Sequence, residues 1–304
     1  MSWSGHYWTL APTVMERLRP QSTPPSQPWS TQLDDGHRRM LKLGGALRQR
    51  DDSDAVVVVV HGLGGAIESN YCIRAAHAIE ARGLSCLRLA LRGADRSGED
   101  FYHAGLVADI EAAFASPELA RYRRLYVLGF SLGGHVSLHA ALGRSDLRLA
   151  GVAAICAPLD LGQSADVIDR PSLWVYRNHI LSGLKDIYAA VAAKRAVPTP
   201  LARVLKIKTI REWDALTVVP HHGFASVEDY YARMSIGPRL SQLACPALLL
   251  QSLHDPMVPP ASYEAYLAEP HAALTVRFTD HGGHVGFPAH VGLERQVLDW
   301  FEAL

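Results

Sequence analysis

Six short, largely unbroken apolar runs recur along the chain: Ala55 to Val60, Cys86 to Leu91, Leu125 to Leu128, Gly151 to Cys156, Ala247 to Leu250 and Leu274 to Phe278. Each is too short for a helix. A run such as Val56 to Val60, apolar at successive positions, requires cover on both faces, the condition of a parallel strand held between helical layers. Stretches of helical period separate the runs and predict helices over Tyr71 to Ala81, Leu106 to Phe114, His135 to Leu142, Ser262 to Leu267 and Val291 to Phe301. In the last of these, Leu293, Val297, Trp300, Phe301 and Leu304 form one apolar stripe that would dock on the sheet.

Two regions depart from that alternation. Pro20 to Gln32 carries Pro20, Pro24, Pro25 and Pro28 among Ser, Thr and Gln and reads as an extended strap. From His37 to Arg50, two strand-like stretches flank Gly44-Gly45, a pair suited to a tight hairpin turn, which adds an antiparallel edge and brings the expected sheet to eight strands. Between Leu159 and Leu243, aromatic-rich helical stretches with Pro198 and Pro200 replace the strand rhythm. The expected organisation is an N-terminal strap (1–33), an α/β core (34–158 and 244–304) and a helical cap inserted after the sixth strand (159–243).

At 304 residues the chain is long enough to bury a substantial core. Lys+Arg and Asp+Glu balance at 30 each with no long run of either sign, which excludes nucleic acid, an acidic polymer or an electrostatically held membrane surface as the expected partner. A small, weakly charged molecule fits better. Cys72, Cys86, Cys156 and Cys245 are far apart and show no metal-ligand spacing, so reduced thiols in a cytoplasmic protein are expected. Met1 to Leu18 lacks the apolar core of a signal peptide, and no stretch approaches 18 consecutive apolar residues, so no integral membrane segment is expected.

The chemistry begins at Gly129-Phe130-Ser131-Leu132-Gly133-Gly134, a G-x-S-x-G sequence set between a strand (LYVL) and a helix (HVSLHAAL). A serine in so sharp a turn projects its hydroxyl out of the sheet, and glycines two before and two after it are needed where a Cβ would collide with neighbouring backbone. Outside this context the pentapeptide is usually an incidental turn. A dinucleotide loop is excluded because G-x-G-x-x-G is missing. Earlier, His61-Gly62-Leu63-Gly64-Gly65 ends the polyvaline strand. Acyl transfer needs two N–H donors for the oxyanion, one from the residue after the nucleophile and one from this loop, so Leu132 and Leu63 are the candidates and His61 the loop's orienter.

A serine hydroxyl needs a histidine to take its proton and a carboxylate to orient that histidine. On this type of sheet both follow the serine. Asp255, in Ser252-Leu253-His254-Asp255-Pro256 beyond the ALLL strand, is the preferred acid, with Asp160 its rival. For the base, His281 and His284 of His281-Gly282-Gly283-His284-Val285-Gly286-Phe287 both stand after the last strand, and spacing does not separate them. His221-His222 invites a metal reading, but no third ligand stands at a suitable spacing, and neither metal nor cofactor is expected. The expected pocket lining is His61, Gly62, Tyr71, Phe130 and Phe287, roofed by Leu173, Trp174, Tyr176, Ile180, Leu184, Ile187 and Tyr188 of the insertion.

HGLGG, RGADRSG, GFSLGG, HDP and HGGHVGF, in this order, resemble the α/β-hydrolase superfamily and, within it, the YheT-like esterase group. Ile210 to Asp214, Gly223-Phe224 and Asp229-Tyr230-Tyr231 resemble that group's cap, and Tyr102 to Gly105 through Asp109 its segment after the fourth strand, so the likeness extends from about Asp34 onward. The resemblance implies the α/β-hydrolase fold, Ser131, Asp255 and His284 as the triad with His284 preferred over His281, and hydrolysis of acyl or lipid-like carboxylic esters. Ala94-Asp95 departs from the small neutral residue or cysteine common in the group, and no counterpart of the N-terminal membrane anchor of some animal members is expected. The rival expectations are amide, thioester or C–C hydrolysis on the same triad, and a non-catalytic binding protein on the same scaffold.

Overall fold

The computed structural model describes residues 3–18, 21–34, 39–143 and 145–304. Its centre is one eight-stranded sheet made of β1 (Gln27–Asp34), β2 (Met40–Arg48), β3 (Ala55–Val60), β4 (Ser85–Leu89), β5 (Arg124–Phe130), β6 (Leu149–Ile155), β7 (Ala247–Ser252) and β8 (Leu274–Thr279), in the order β1-β2-β4-β3-β5-β6-β7-β8. The β1–β2 and β2–β4 pairs are antiparallel and all the others parallel, so the sheet is mostly parallel with an antiparallel edge, as the sequence predicts in outline. All six residues of β3 are buried. Val56, Val58 and Val60 join the core on one face of the sheet, while Ala55, Val57 and Val59 join the core on the other, the two-residue period of a strand covered twice.

The helices sort by face. Helix α1 (Trp3–Leu18) precedes the sheet. Helices α2 (Asn70–Ala81) and α11 (Leu293–Glu302) cover the second face, and α3 (Ala108–Phe114) and α4 (Leu132–Gly143) cover the first. Between β6 and β7 the chain leaves the sheet and runs through α5 (Leu161–Ile168), α6 (Trp174–Lys194), α7 (Leu201–Val204), α8 (Ile210–Trp213), α9 (Val219–His222) and α10 (Val227–Met234), whose apolar sides continue the first core. No helix among the described residues is long and apolar enough to cross a membrane.

Several local expectations need correction. Gly44-Gly45 is no turn. Both lie inside β2, paired with Ser30 and Trp29, and the β1–β2 connection falls at 35–39, of which 35–38 are outside the described residues. Gly45 is required by close packing, since a Cβ there would stand 2.7 Å from the Arg88 carbonyl oxygen and 3.1 Å from the Trp29 ring. A sequence pattern cannot separate that need from a need for positive φ. The strap is also more regular than its prolines imply, because Pro28 sits in β1, an edge strand, where a residue without an N–H is tolerated.

Ahead of the strap, residues 3–18 form α1 with Pro12 inside it. Pro12 leaves the Trp8 carbonyl without its helical donor, and that carbonyl faces Gly286 instead. Ser262 to Leu267 is two 3₁₀ turns and not a helix. Leu304 lies beyond α11 and is half exposed, so it leaves the stripe formed by Leu293, Val297, Trp300 and Phe301.

Candidate active site

Ser131 follows β5 directly and precedes α4, with φ of +53°. Its N–H donates to the Ile155 carbonyl (2.8 Å) and its carbonyl accepts from His135 N (3.1 Å), which fixes the bend from both sides. The surrounding glycines answer to space. A Cβ on Gly129 would overlap the Gly133 carbonyl and the Ser137 hydroxyl, and one on Gly133 would overlap the carbonyls of Val60 and His61. Helix α4 therefore packs against β3 and β5 at backbone distance and begins at Leu132, three residues before the position its side-chain pattern predicts.

The structure brings three of the predicted residues together. Asp255 accepts from Met257 N (2.8 Å) and Val258 N (3.0 Å) on Oδ1, and its Oδ2 accepts from His284 Nδ1 at 2.8 Å. A carboxylate only accepts, so the imidazole proton sits on Nδ1. Nε2 is left to accept from Ser131 Oγ, also at 2.8 Å. Asp255 and His284 are both buried. The rivals are engaged elsewhere. Asp160 caps α5 through Gln163 N (2.9 Å) and accepts from the Tyr266 hydroxyl (2.7 Å), while His281 is exposed with its ring against His290.

The loop after β3 passes close by, since a Cβ on Gly62 would lie 3.1 Å from Ser131 Cβ. His61 holds it from beneath. Leu91 N donates to its Nε2 (3.2 Å), so Nδ1 carries the proton and donates to the Gly62 carbonyl (2.8 Å); burial pushes this imidazole down to about 4 and keeps it neutral. From above, Gly62 N donates to the Tyr71 hydroxyl (3.1 Å) and Gly64 N to the Tyr102 hydroxyl (2.8 Å). Leu63 N stands between these two anchored amides, and Leu132 N opens α4, where an amide has no partner within the helix.

Ser131 and His284 border an apolar cavity of about 570 Å³, within the range of small-molecule sites. Gly62 and Tyr71 line it as predicted, together with Leu63 and Leu132. His61, Phe130 and Phe287 do not. His61 is wholly buried under its loop, and Phe130, at an alternate position of β5, points to the opposite core and packs on Tyr71 with ring centroids 4.8 Å apart. Phe287 joins that same opposite core. Of the expected roof, Tyr176 and Ile180 line the cavity, Leu173, Leu184, Ile187 and Tyr188 are packed behind it, and Trp174 is exposed.

Sequence reasoning missed three contributors. Thr9, Leu10 and Val14 of α1 line the cavity, and Thr9 Oγ1 accepts from His284 N at 2.8 Å. Leu10 and Val14 stand four apart, a helical spacing too weak to read among Pro12 and the polar neighbours. Cys156, at φ +50° just after β6, lies under Asp255 and His284, and nothing in its sequence context marks it. Asp214 borders the cavity and accepts from the Tyr231 hydroxyl at 2.6 Å; burial pushes its carboxyl up to about 7.

The raised Asp214 gives a pH prediction. Its folded value near 7 lies above the ordinary 3.8, so the folded state binds the proton more tightly and stability falls as pH rises from about 4 through 7. Asp214→Asn is expected to remove that part of the decline, read as a flatter plot of thermal midpoint against pH. An unchanged slope would place the titration elsewhere.

For metal, Cys156, Asp255 and His284 form a group of ligand-type atoms within 4.8 Å among the described residues. They fit an ion poorly, because His284 already spends Nδ1 on Asp255 and burial beside that carboxylate pushes the Cys156 thiol far above its usual range, away from the thiolate a metal needs. His221 and His222 turn to different acceptors, Asp100 Oδ1 (2.6 Å) and the Phe101 carbonyl (3.2 Å).

Residues 56–295 match the sequence pattern of the Alpha/beta hydrolase family. "Putative esterase YheT" of Escherichia coli (strain K12) is 30% identical over 268 residues, covering 80% of this chain and 75% of that protein. Phospholipase ABHD3 of Homo sapiens is 25% identical over 249 residues, covering 76% of this chain but only 58% of its own length. Among solved structures, the Pyrococcus furiosus esterase Pf2001 superposes with a TM-score of 0.58 at 14% identity, over 93% of this chain and 95% of that one, a likeness of fold.

Proposed function

The chain belongs to the alpha/beta hydrolase family and to its YheT-like esterase group, and from that premise we propose that it hydrolyses carboxylic esters of acyl or lipid-like character through an acyl-enzyme. The observation that carries this reading is the relay from Asp255 Oδ2 through His284 to Ser131 Oγ, two contacts of 2.8 Å. Ser131 Oγ attacks the ester carbonyl carbon while His284 Nε2 takes its proton. The oxyanion then accepts from the N–H groups of Leu63 and Leu132, each donor worth about 2.7–4 kcal/mol of transition-state stabilisation. Collapse expels the alcohol, which receives the proton from His284. Water, deprotonated by the same imidazole, attacks the acyl-enzyme and regenerates Ser131.

The cavity's apolar walls fit a hydrocarbon acyl or alcohol group, and the helical insertion (159–243), which contributes Tyr176, Ile180, Trp213 and Tyr230 to those walls, acts as a cap that selects it. The lipid-cleaving name of the human relative points the same way. The cysteine pattern, with no spacing that asks for an oxidising compartment, supports a cytoplasmic location.

A panel of p-nitrophenyl esters of increasing acyl length, run beside matched anilides and thioesters, tests the reading. Ester cleavage that improves with acyl length is expected, and a fluorophosphonate adduct is expected on the peptide carrying Ser131. Selective cleavage of the anilide or thioester would reassign the leaving group, and absence of both turnover and adduct would leave only a binding role.

A further inference from the structure

Helix α1 wears its apolar stripe on the outside. Trp3, Tyr7, Leu10, Val14 and Leu18 follow at i, i+4, i+7, i+11 and i+15, which aligns them on one side of the helix, and they are 91%, 58%, 39%, 52% and 77% exposed. A helix packed on a water-soluble core turns such a stripe inward. Here the inward side is made of smaller residues: Gly5 against the His254 carbonyl, Thr9 on the His284 amide and Pro12 against Gly286. The orientation is pinned further by His6 Nδ1, 2.8 Å from the Tyr176 hydroxyl on α6.

The stripe runs into the candidate active site. Leu10 and Val14 belong both to the exposed stripe and to the cavity wall. Val175, beside the exposed Trp174, likewise combines 43% exposure with a place in that wall. One apolar surface therefore leads from the outside of α1 to the cavity that holds Ser131. A freely dissolved ester has no use for the outer part of that path, whereas an ester drawn from a lipid layer does. None of the five stripe residues is charged, which matches a neutral or zwitterionic surface and agrees with the balanced charge of the chain.

We propose that α1 docks the mouth of the cavity on a zwitterionic phospholipid surface, its tryptophan and aliphatic side chains entering the interface as those of a surface-lying amphipathic helix do. What the surface then delivers rests on the ester-hydrolase reading. Binding itself does not, so it is measured in the full chain carrying Ser131→Ala, which cannot turn lipid over.

The protein is floated with phosphatidylcholine vesicles and compared with the same chain carrying Trp3→Ser, Tyr7→Ser and Leu18→Ser, three positions that do not line the cavity. The parent is expected to float, and the triple variant to lose about tenfold or more of its bound fraction. An apolar replacement (Trp3→Phe, Tyr7→Phe, Leu18→Ile) is expected to keep it. With Ser131 intact, the serine triple variant should retain its rate on a soluble short-chain ester within about twofold, which shows that it folds and that loss of binding is not loss of the site.

A parent that stays with the soluble fraction overturns the proposal, as does a serine variant that floats equally well. So does a parent dimer, seen by light scattering, that the serine variant dissociates without any vesicle binding, since a second copy then covers the face. Failure of the ester reading shows separately, as a parent that floats while the chain with Ser131 intact forms no fluorophosphonate adduct.

Discussion

Replacing Ser131 by alanine is expected to lower kcat/KM on a p-nitrophenyl ester by on the order of 10⁴–10⁶, leaving what binding and the proposed oxyanion amides of Leu63 and Leu132 supply. The expected loss is chemical and not structural. Alanine removes one hydroxyl, whose partner is His284 Nε2, and keeps the Ser131 backbone bonds to Ile155 and His135 that define the bend. Both residues meet the same steric cost at φ near +53°, so the strain of the turn is unchanged and the thermal midpoint should move by only a few degrees. Turnover within about tenfold of the native rate, in protein freed of native contaminant, would remove Ser131 from the mechanism.

The second large effect is expected from Asp255→Asn, a fall in kcat of about 10⁴ with the fold retained. The argument is one of tautomers. Met257 N and Val258 N both donate to Asp255 Oδ1, so the single oxygen of an asparagine is claimed by those amides and its NH₂ group faces His284. Nδ1 must then accept, the imidazole proton moves to Nε2, and the nitrogen facing Ser131 no longer has a lone pair to take the serine proton. Steady-state kinetics should show kcat falling with KM little changed, whereas Asp160→Asn, which alters a helix cap, should leave kcat within a few-fold. Equal losses in the two variants would undo the assignment of the acid.

Much of this arrangement was written locally. The strand-glycine-serine-glycine-helix order around Ser131 is a local steric statement: Gly129 and Gly133 stand where carbonyls of β3 and α4 leave no room for a Cβ. Val56 to Val60 likewise announces a strand covered on both faces, and the structure divides its side chains between two cores. The hairpin at Gly44-Gly45 went the other way, because a glycine needed for close approach to Arg88 and Trp29 looks in sequence like one needed for a turn. Phe130 and Phe287 were legible as neighbours of the site but not as to side, since the face of Phe130 depends on the register of the sheet and that of Phe287 on how its loop packs.

The sequence by itself determined the layered α/β core, the position of the serine at its sharpest bend and the short set of acids and histidines able to serve it. Those follow from forces acting over a few residues: apolar period, steric exclusion at glycine and the end of a strand. Spacing left His281 and His284 level and the family resemblance favoured His284; only the tertiary structure put residues more than 150 positions apart at hydrogen-bond distance and set α1 beside the cavity with its apolar side outward. Contacts of that kind depend on how separate elements pack in space, and no local preference encodes which of two equivalent neighbours packing will bring to the site.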